Sequence, residues 1–350
     1  MLRSSFALVF ALAVLPCNDS RTSQSDPFTV STLVSGLDTP WDLAWGPDGM
    51  IWVSERGGRI SRVDPASGTR STAGTVSVYE SGEGGLMGIA FHPDFVREPF
   101  LYAMHTYSSN RGANNKLVRM RWDGRVLGAA ETLLDEIPGG GIHNGSRIAV
   151  GPDRMLYVTT GDAGSSGLAQ VRASLAGKVL RLTLDGKPAP DNPFGNATWS
   201  YGHRNGQGLV FHPSGTLYET EQGPSDNDEV NIIRRGANYG WPDVHGTEPI
   251  AAWTPTIAIC GADLYLSDKI RGWRNSLLAT SLKGSTLYRL ALSADGSRIT
   301  SRETFLGDRY GRLRDVLVAP NGDVFIATSN RDGRGSPTRE DDRILRLTAR

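Results

Sequence analysis

The chain reads as an all-β protein, a six-bladed β-propeller whose active site sits at the central channel. One observation that predicts it is a strand–turn–strand phrase recurring along the chain. Another is a further apolar strand at a similar place after each copy. The third is composition: 42 glycines in 350 residues and no long helical periodicity, which favours short strands joined by tight turns.

The first copy of the phrase runs from Trp41 to Glu55 around the turn Pro47-Asp48-Gly49. The second runs from Leu86 through Pro93-Asp94-Phe95 to His105, and the third from Ser146 through Pro152-Asp153-Arg154 to Thr160. The fourth spans Gln207 to Tyr218 around Pro213-Ser214-Gly215, and the last Asp315 to Thr328 around Pro320-Asn321-Gly322. The wide interval between these two holds a degenerate copy, Gly261–Tyr265 followed by Asn275–Thr280. Proline fixes φ and glycine accepts positive φ, so Pro-Asp-Gly closes a tight hairpin. Additional strands are predicted at Ile60–Val63, Leu117–Met120, Val179–Leu182, Val230–Ile233, Leu287–Leu290 and Ile344–Leu347. A multi-strand unit repeating every ~40–60 residues signals a propeller. A single blade cannot bury both faces, so blades must stack around a ring; a β-sandwich would not repeat one phrase six times.

The N-terminus predicts export. Arg3 precedes an apolar run, Phe6–Leu15, too short to span a bilayer and suited to a signal peptide over residues 1–17. Cys17 stands where a lipoprotein would be cut and lipidated, but Pro16 before it is a poor match to the small residue such sites carry, so simple cleavage is favoured. Residues 18–27 read as a flexible segment and 28–350 as the propeller. A secreted or periplasmic protein without a membrane span in its mature form is expected. Cys260 is then the lone thiol, so stability must come from packing or metal. Lysine plus arginine equals aspartate plus glutamate at 37 each, which argues against nucleic acid or an anionic membrane as partner.

In a propeller the loops at one end of the channel converge, so polar residues flanking each repeat are the candidates for chemistry. Gly139-Gly-Gly-Ile142-His143-Asn144-Gly145 sets a histidine among glycines just before an inner strand, where it could act as a base near neutral pH or simply bond to backbone. Tyr201-Gly202-His203-Arg204-Asn205 occupies the same place one repeat later, and Arg204 there could stabilise developing negative charge. Arg312 and Arg314 fall on one face of an extended strand and Lys283 follows another strand, a basic set suited to a polyanionic small ligand or to a solvated edge. Glu221-Gln222-Gly223-Pro224 through Glu229 is rich in carboxylates and carbonyls and suits calcium, although the spacing is not that of an EF-hand and a solvated acidic loop fits composition equally.

Together these phrases resemble the glucose/sorbosone dehydrogenase family of soluble quinoproteins. The likeness is carried by Gly84–Phe95, His143–Asp162, Tyr201–Asn205, Glu221–Pro224 through Asn238–Pro242, Gly272–Lys283 and Arg312–Asp315, nearly the whole mature chain. It implies a pyrroloquinoline quinone (PQQ) cofactor, one calcium ion against it and a second, structural one, and oxidation of an aldose to its lactone with electrons passed to an external acceptor. By position, His143 matches the family's general base, Arg204 the arginine beside the quinone oxygens and Asn205 a neighbouring cofactor contact. Lys283, Arg312 and Arg314 match the partners of the cofactor's carboxylates. Gly223 and Pro224 match the carbonyl ligands of the catalytic calcium, and Glu229 with the Tyr239 carbonyl the structural one.

Two departures stand out. Glu83 replaces a glutamine of the glucose enzymes near cofactor and substrate, and a carboxylate there opposes an anionic cofactor unless protonated or paired. Ile142 replaces an aspartate beside the base, which removes a contact to a sugar hydroxyl; together the departures predict a broader or weaker aldose preference than for glucose alone. The rival readings are a calcium-dependent propeller lactonase, which would not need Lys283, Arg312 and Arg314 together, and a non-catalytic sugar- or protein-binding propeller, which should lose His143 or the basic set. The sequence leaves open the sugar, the electron acceptor and the choice between monomer and dimer.

Overall fold

A computed structural model describes residues 26–110 and 112–350. The expected signal peptide and most of the 18–27 segment lie outside the described residues. Six four-stranded antiparallel sheets form the blades. In chain order, the inner strands of blades one to six are β2 (Pro40–Trp45), β6 (Leu86–Phe91), β10 (Gly145–Val150), β14 (Gly206–Phe211), β18 (Ile259–Tyr265) and β22 (Leu313–Val318). Each recurring phrase supplies an inner strand and the second strand beside it, such as β3 (Ile51–Glu55) and β11 (Leu156–Thr160). The degenerate copy is a full blade like the others.

The turns explain the repeat. Asp48 accepts hydrogen bonds from the Met50 amide and the Trp52 indole, and Arg62 of the third strand joins it. Asp153 receives Met155, Tyr157 and Arg181 in the same way. The turn aspartate therefore ties three strands of a blade together. In the third copy a non-glycine, Arg154, takes the turn's positive φ of 60°, so the turn keeps its geometry without the glycine that would adopt it without strain.

The outer strands carry little of the predicted pattern. β5 (Arg70–Thr75), β9 (Glu131–Pro138) and β21 (Ile299–Phe305) are largely exposed. The sixth blade closes on the N-terminal strand β1 (Phe28–Val34), which pairs antiparallel with β24 (Ile344–Ala349). The ring is thus closed by pairing the two ends of the described chain.

Apolar burial lies between blades. One cluster joins Trp52 and Ile60 of the first blade to Leu86 and Leu101 of the second, and another joins Tyr265 and Leu278 of the fifth to Leu313 and Leu345 of the sixth. The channel waist is polar. Buried Arg147 pairs with Asp42 and, at 3.1 Å, with Asp315, and donates to the Gln207 carbonyl at 2.9 Å. Asp42 and Asp315 in turn accept the Ile89 and Leu43 amides of neighbouring inner strands. This ion triad ties the inner strands together at the channel.

Candidate active site

The loops leading into inner strands β6, β10, β14 and β22 meet at one end of the channel. Two adjoining hollows form there. The first is lined by Trp41, Glu83, Gln207, Arg312, Arg314 and Arg334, and the second by Arg204, Gly223, Pro224, Glu229, Tyr239 and Trp241; Gln222 lines both. The structure therefore gathers most of the residues singled out in the sequence at one end of the channel.

His143 immediately precedes Asn144 and Gly145, which line the first hollow. Its loop is clamped by Asn144, whose side chain bonds both the amide and the carbonyl of Gly140. The histidine holds φ of 55°, a conformation rare outside glycine that clusters at functional sites. Its Nδ1 lies 2.7 Å from Asp162 Oδ1. Asp162 also accepts the Trp241 indole at 2.8 Å and the Gly164 amide at 2.7 Å. Burial would raise the Asp162 carboxyl, but those bonds, led by His143, hold it below its ordinary value. An ionised Asp162 fixes the proton on Nδ1 and leaves Nε2 as an acceptor. Asp162 was not singled out in the sequence, because it follows a strand with no local pattern marking its partner.

Arg204 is tied to the His143 side of the site through backbone: the Asp162 amide donates to the Arg204 carbonyl at 2.9 Å. Its guanidinium donates to the Gln222 carbonyl at 2.9 Å and lies over Trp241, 5.3 Å from the ring centre. Burial works against its charge, and its Nε is buried without a partner. Asn205 is buried, and its amide bonds Gly145, Gln207 and Gln222, so it holds these loops in register.

The basic residues divide by partner. Among the described residues Arg314 bonds only neutral groups, Gln207 at 2.9 Å and the Cys260 sulfur at 3.3 Å, and its buried Nε has no partner. Arg312 is paired with Asp332 at 2.8 Å. Lys283 is exposed at the rim, next to Leu282 of the first hollow. Glu83 is paired, not protonated: burial would raise its carboxyl, but Arg334 at 2.6 Å and the His143 amide at 2.9 Å hold it below the ordinary value. Arg334 escaped the sequence reading, lying 251 residues from its partner. Ile142 is exposed beside the base.

The second hollow carries oxygen donors. A Cβ built on Gly223 would fall 1.9 Å from the Asp226 carbonyl oxygen and 2.5 Å from that of Asn227, so carbonyls crowd a cradle only glycine leaves open. Asp228 pins this loop through the Gly223, Ile257 and Ile259 amides. Burial, then the Glu221 charge, pushes Glu229 up to about 7. Beneath, His203 is buried between Glu221 at 2.8 Å and Glu219 at 3.1 Å and stacks on Tyr239. Burial opposes the charge of His203, yet the two carboxylates push it up to about 10. Among the described residues, Glu219 Oε1 and Asn231 Oδ1 are buried without hydrogen-bond partners.

A closed propeller thus carries a histidine–aspartate pair, two arginines without carboxylate partners among the described residues and an oxygen-rich hollow at one channel mouth. Comparison with known proteins identifies the family. The family model described as Glucose / Sorbosone dehydrogenase matches residues 37–345, and the chain belongs to that family. It is 30% identical to the quinoprotein glucose dehydrogenase B of Acinetobacter calcoaceticus, over 92% of this chain and 90% of that protein. It is 30% identical to the aldose sugar dehydrogenase YliI of Escherichia coli K12, over 95% of this chain and 98% of that one. The solved PQQ-bound form of an aldose sugar dehydrogenase from Streptomyces coelicolor superposes with a TM-score of 0.83 at 41% identity, covering 92% of this chain and 98% of that one.

Proposed function

We propose that this protein is an exported quinoprotein that oxidises an aldose at the anomeric carbon to the lactone, with PQQ and calcium as cofactors and an external electron acceptor. The observation that carries the reading is the pairing of a base held by Asp162 with cations that lack carboxylate partners. Arg204, Arg314 and Lys283 have no such partner among the described residues, whereas Arg312 and Arg334 do. That surplus fits a cofactor bearing several carboxylates, and the orphaned Nε atoms of Arg204 and Arg314 supply donors for it. Bound there, the quinone would supply a hydride acceptor and calcium a Lewis acid acting on its carbonyl.

The chain's own groups do the rest. Neutral His143 takes the hydroxyl proton on Nε2 while Asp162 steadies the imidazolium that forms. Arg204 offers a fixed positive charge where oxygen gains negative charge. The Gly223 and Pro224 carbonyls suit a calcium ion between the hollows, and Glu229 with the Tyr239 carbonyl suits a structural one. A carboxylate pushed up by burial is a group for which a cation compensates. Ile142, apolar and exposed at the mouth, offers no hydrogen bond to a sugar, which favours a broad aldose range. A lactonase reading leaves the basic set without a purpose. Export follows from the N-terminal signal; among the described residues no helix is long and apolar enough to cross a membrane. The test is reconstitution: the protein freed of cofactor should gain aldose-dependent dye reduction only with PQQ and calcium together. Activity without added quinone, or none with both, rejects the proposal.

A further inference from the structure

An anion site is an unfavourable place for a carboxylate, yet Glu83 lines the first hollow beside Arg312 and Arg314. Its two oxygens are spent differently. One accepts the His143 amide at 2.9 Å and so holds the loop that carries the base; the other is paired with Arg334 at 2.6 Å. A glutamine could also accept an amide hydrogen there, without charge and without a partner.

We propose that Arg334 is a positioning residue: by pairing with Glu83 it lets a carboxylate serve as the acceptor that holds the His143 loop while adding no net charge to the anion site. The inference rests on the proposed quinone function only for the identity of the anion. The charged groups facing Glu83 are Arg334 from the loop after the sixth blade's second strand, Arg314 and Arg312 from its inner-strand side, and Arg204 and His143 from the loops before β14 and β10. Among the described residues only Arg334 makes an ion pair with it. Without Arg334, Glu83 would keep a negative charge against the incoming anion until a falling pH protonated it.

The experiment compares Arg334→Met, Glu83→Gln and the double variant, each prepared without cofactor. PQQ binding in calcium buffer is followed by tryptophan quenching from about pH 5 to about pH 8, the window in which a released, half-buried carboxyl would titrate. Arg334→Met should bind about tenfold or more weakly at the upper end, and its affinity should recover as pH falls. Wild type and the double variant should bind alike with no such slope, and Glu83→Gln at least as tightly as wild type. A second readout needs no cofactor: exchange of the His143 amide should be faster in Arg334→Met and restored in the double variant. An Arg334→Met protein with wild-type affinity and a flat profile would overturn the inference. So would a double variant as weak as Arg334→Met, because Arg334 would then be touching the anion itself. If wild type failed to bind the quinone, the functional reading would fall, and amide exchange alone would decide the pair: restored protection in the double variant supports it, equal exchange in all forms overturns it.

Discussion

The Nδ1 atom of His143 lies 2.7 Å from Oδ1 of Asp162, and the far oxygen of that carboxylate holds the Trp241 indole at 2.8 Å. The imidazole is therefore fixed from behind, with Nε2 left to act. Asp162→Asn should keep cofactor binding but stabilise the wrong tautomer, slowing sugar oxidation by about 10²–10⁴. Stopped-flow reduction of the bound quinone checks this; a rate within threefold or so of wild type would reduce Asp162 to a scaffold residue.

Among the described residues Arg314 has only neutral partners and an orphaned Nε. Each charge-assisted bond it makes to a carboxylate is worth roughly 1.5–3 kcal/mol. Arg314→Ala should weaken PQQ titration at least about tenfold, and Lys283→Ala, at an exposed position, should weaken it less. Equal, negligible effects in both would detach the basic set from the cofactor.

Metal removal carries a pH signature. Glu229 is pushed up to about 7 by burial, so its folded form holds a proton more tightly than the unfolded chain, where glutamate titrates near 4.3. Stability contributed by that proton is complete below about pH 4.3 and is lost as pH rises through about 7. Calcium-free protein should therefore lose thermal stability across that window. Calcium should restore it most at the alkaline end, where it no longer competes with the proton. Thermal unfolding with and without chelator tests both statements, and identical curves would remove calcium from the second hollow.

The channel ion triad makes a separate claim about stability. Arg147 is buried between Asp42 and Asp315, and burial pushes Asp42 well up despite the arginine. Arg147→Met should destabilise the fold by roughly 3–5 kcal/mol, since two buried carboxylates lose their cation. Denaturant unfolding measures this directly.

The inner and second strands were legible because they are largely buried and, in five of the six blades, flank a turn of the Pro-Asp-Gly type. The outer strands were not, because sequences such as Ile299–Phe305 are exposed along most of their length and lack the apolar alternation that marks a strand. At the site, Arg312 and Arg314 could be read as one face of a strand, and both line the first hollow. Gly223, Pro224, Glu229 and Tyr239 likewise share the second. Asp162 and Arg334 were invisible for one reason: their meaning lies in a partner beyond their own stretch of sequence. His143 reaches Asp162 across a hairpin, and Glu83 meets Arg334 across the closed ring. No local spacing encodes such a meeting. Asn205, expected as a cofactor contact from the resemblance, bonds neighbouring loops through its amide.

The central claim is that His143 removes the sugar's proton while Asp162 steadies it. Its most direct test is single-turnover reduction of bound PQQ by an aldose in His143→Gln, which separates the chemical step from electron release to the acceptor. The account predicts a variant that binds quinone and calcium as wild type does and reduces the quinone at least about a hundredfold more slowly. Quinone reduction at a near-normal rate in that variant would contradict it, whatever happened to steady-state turnover.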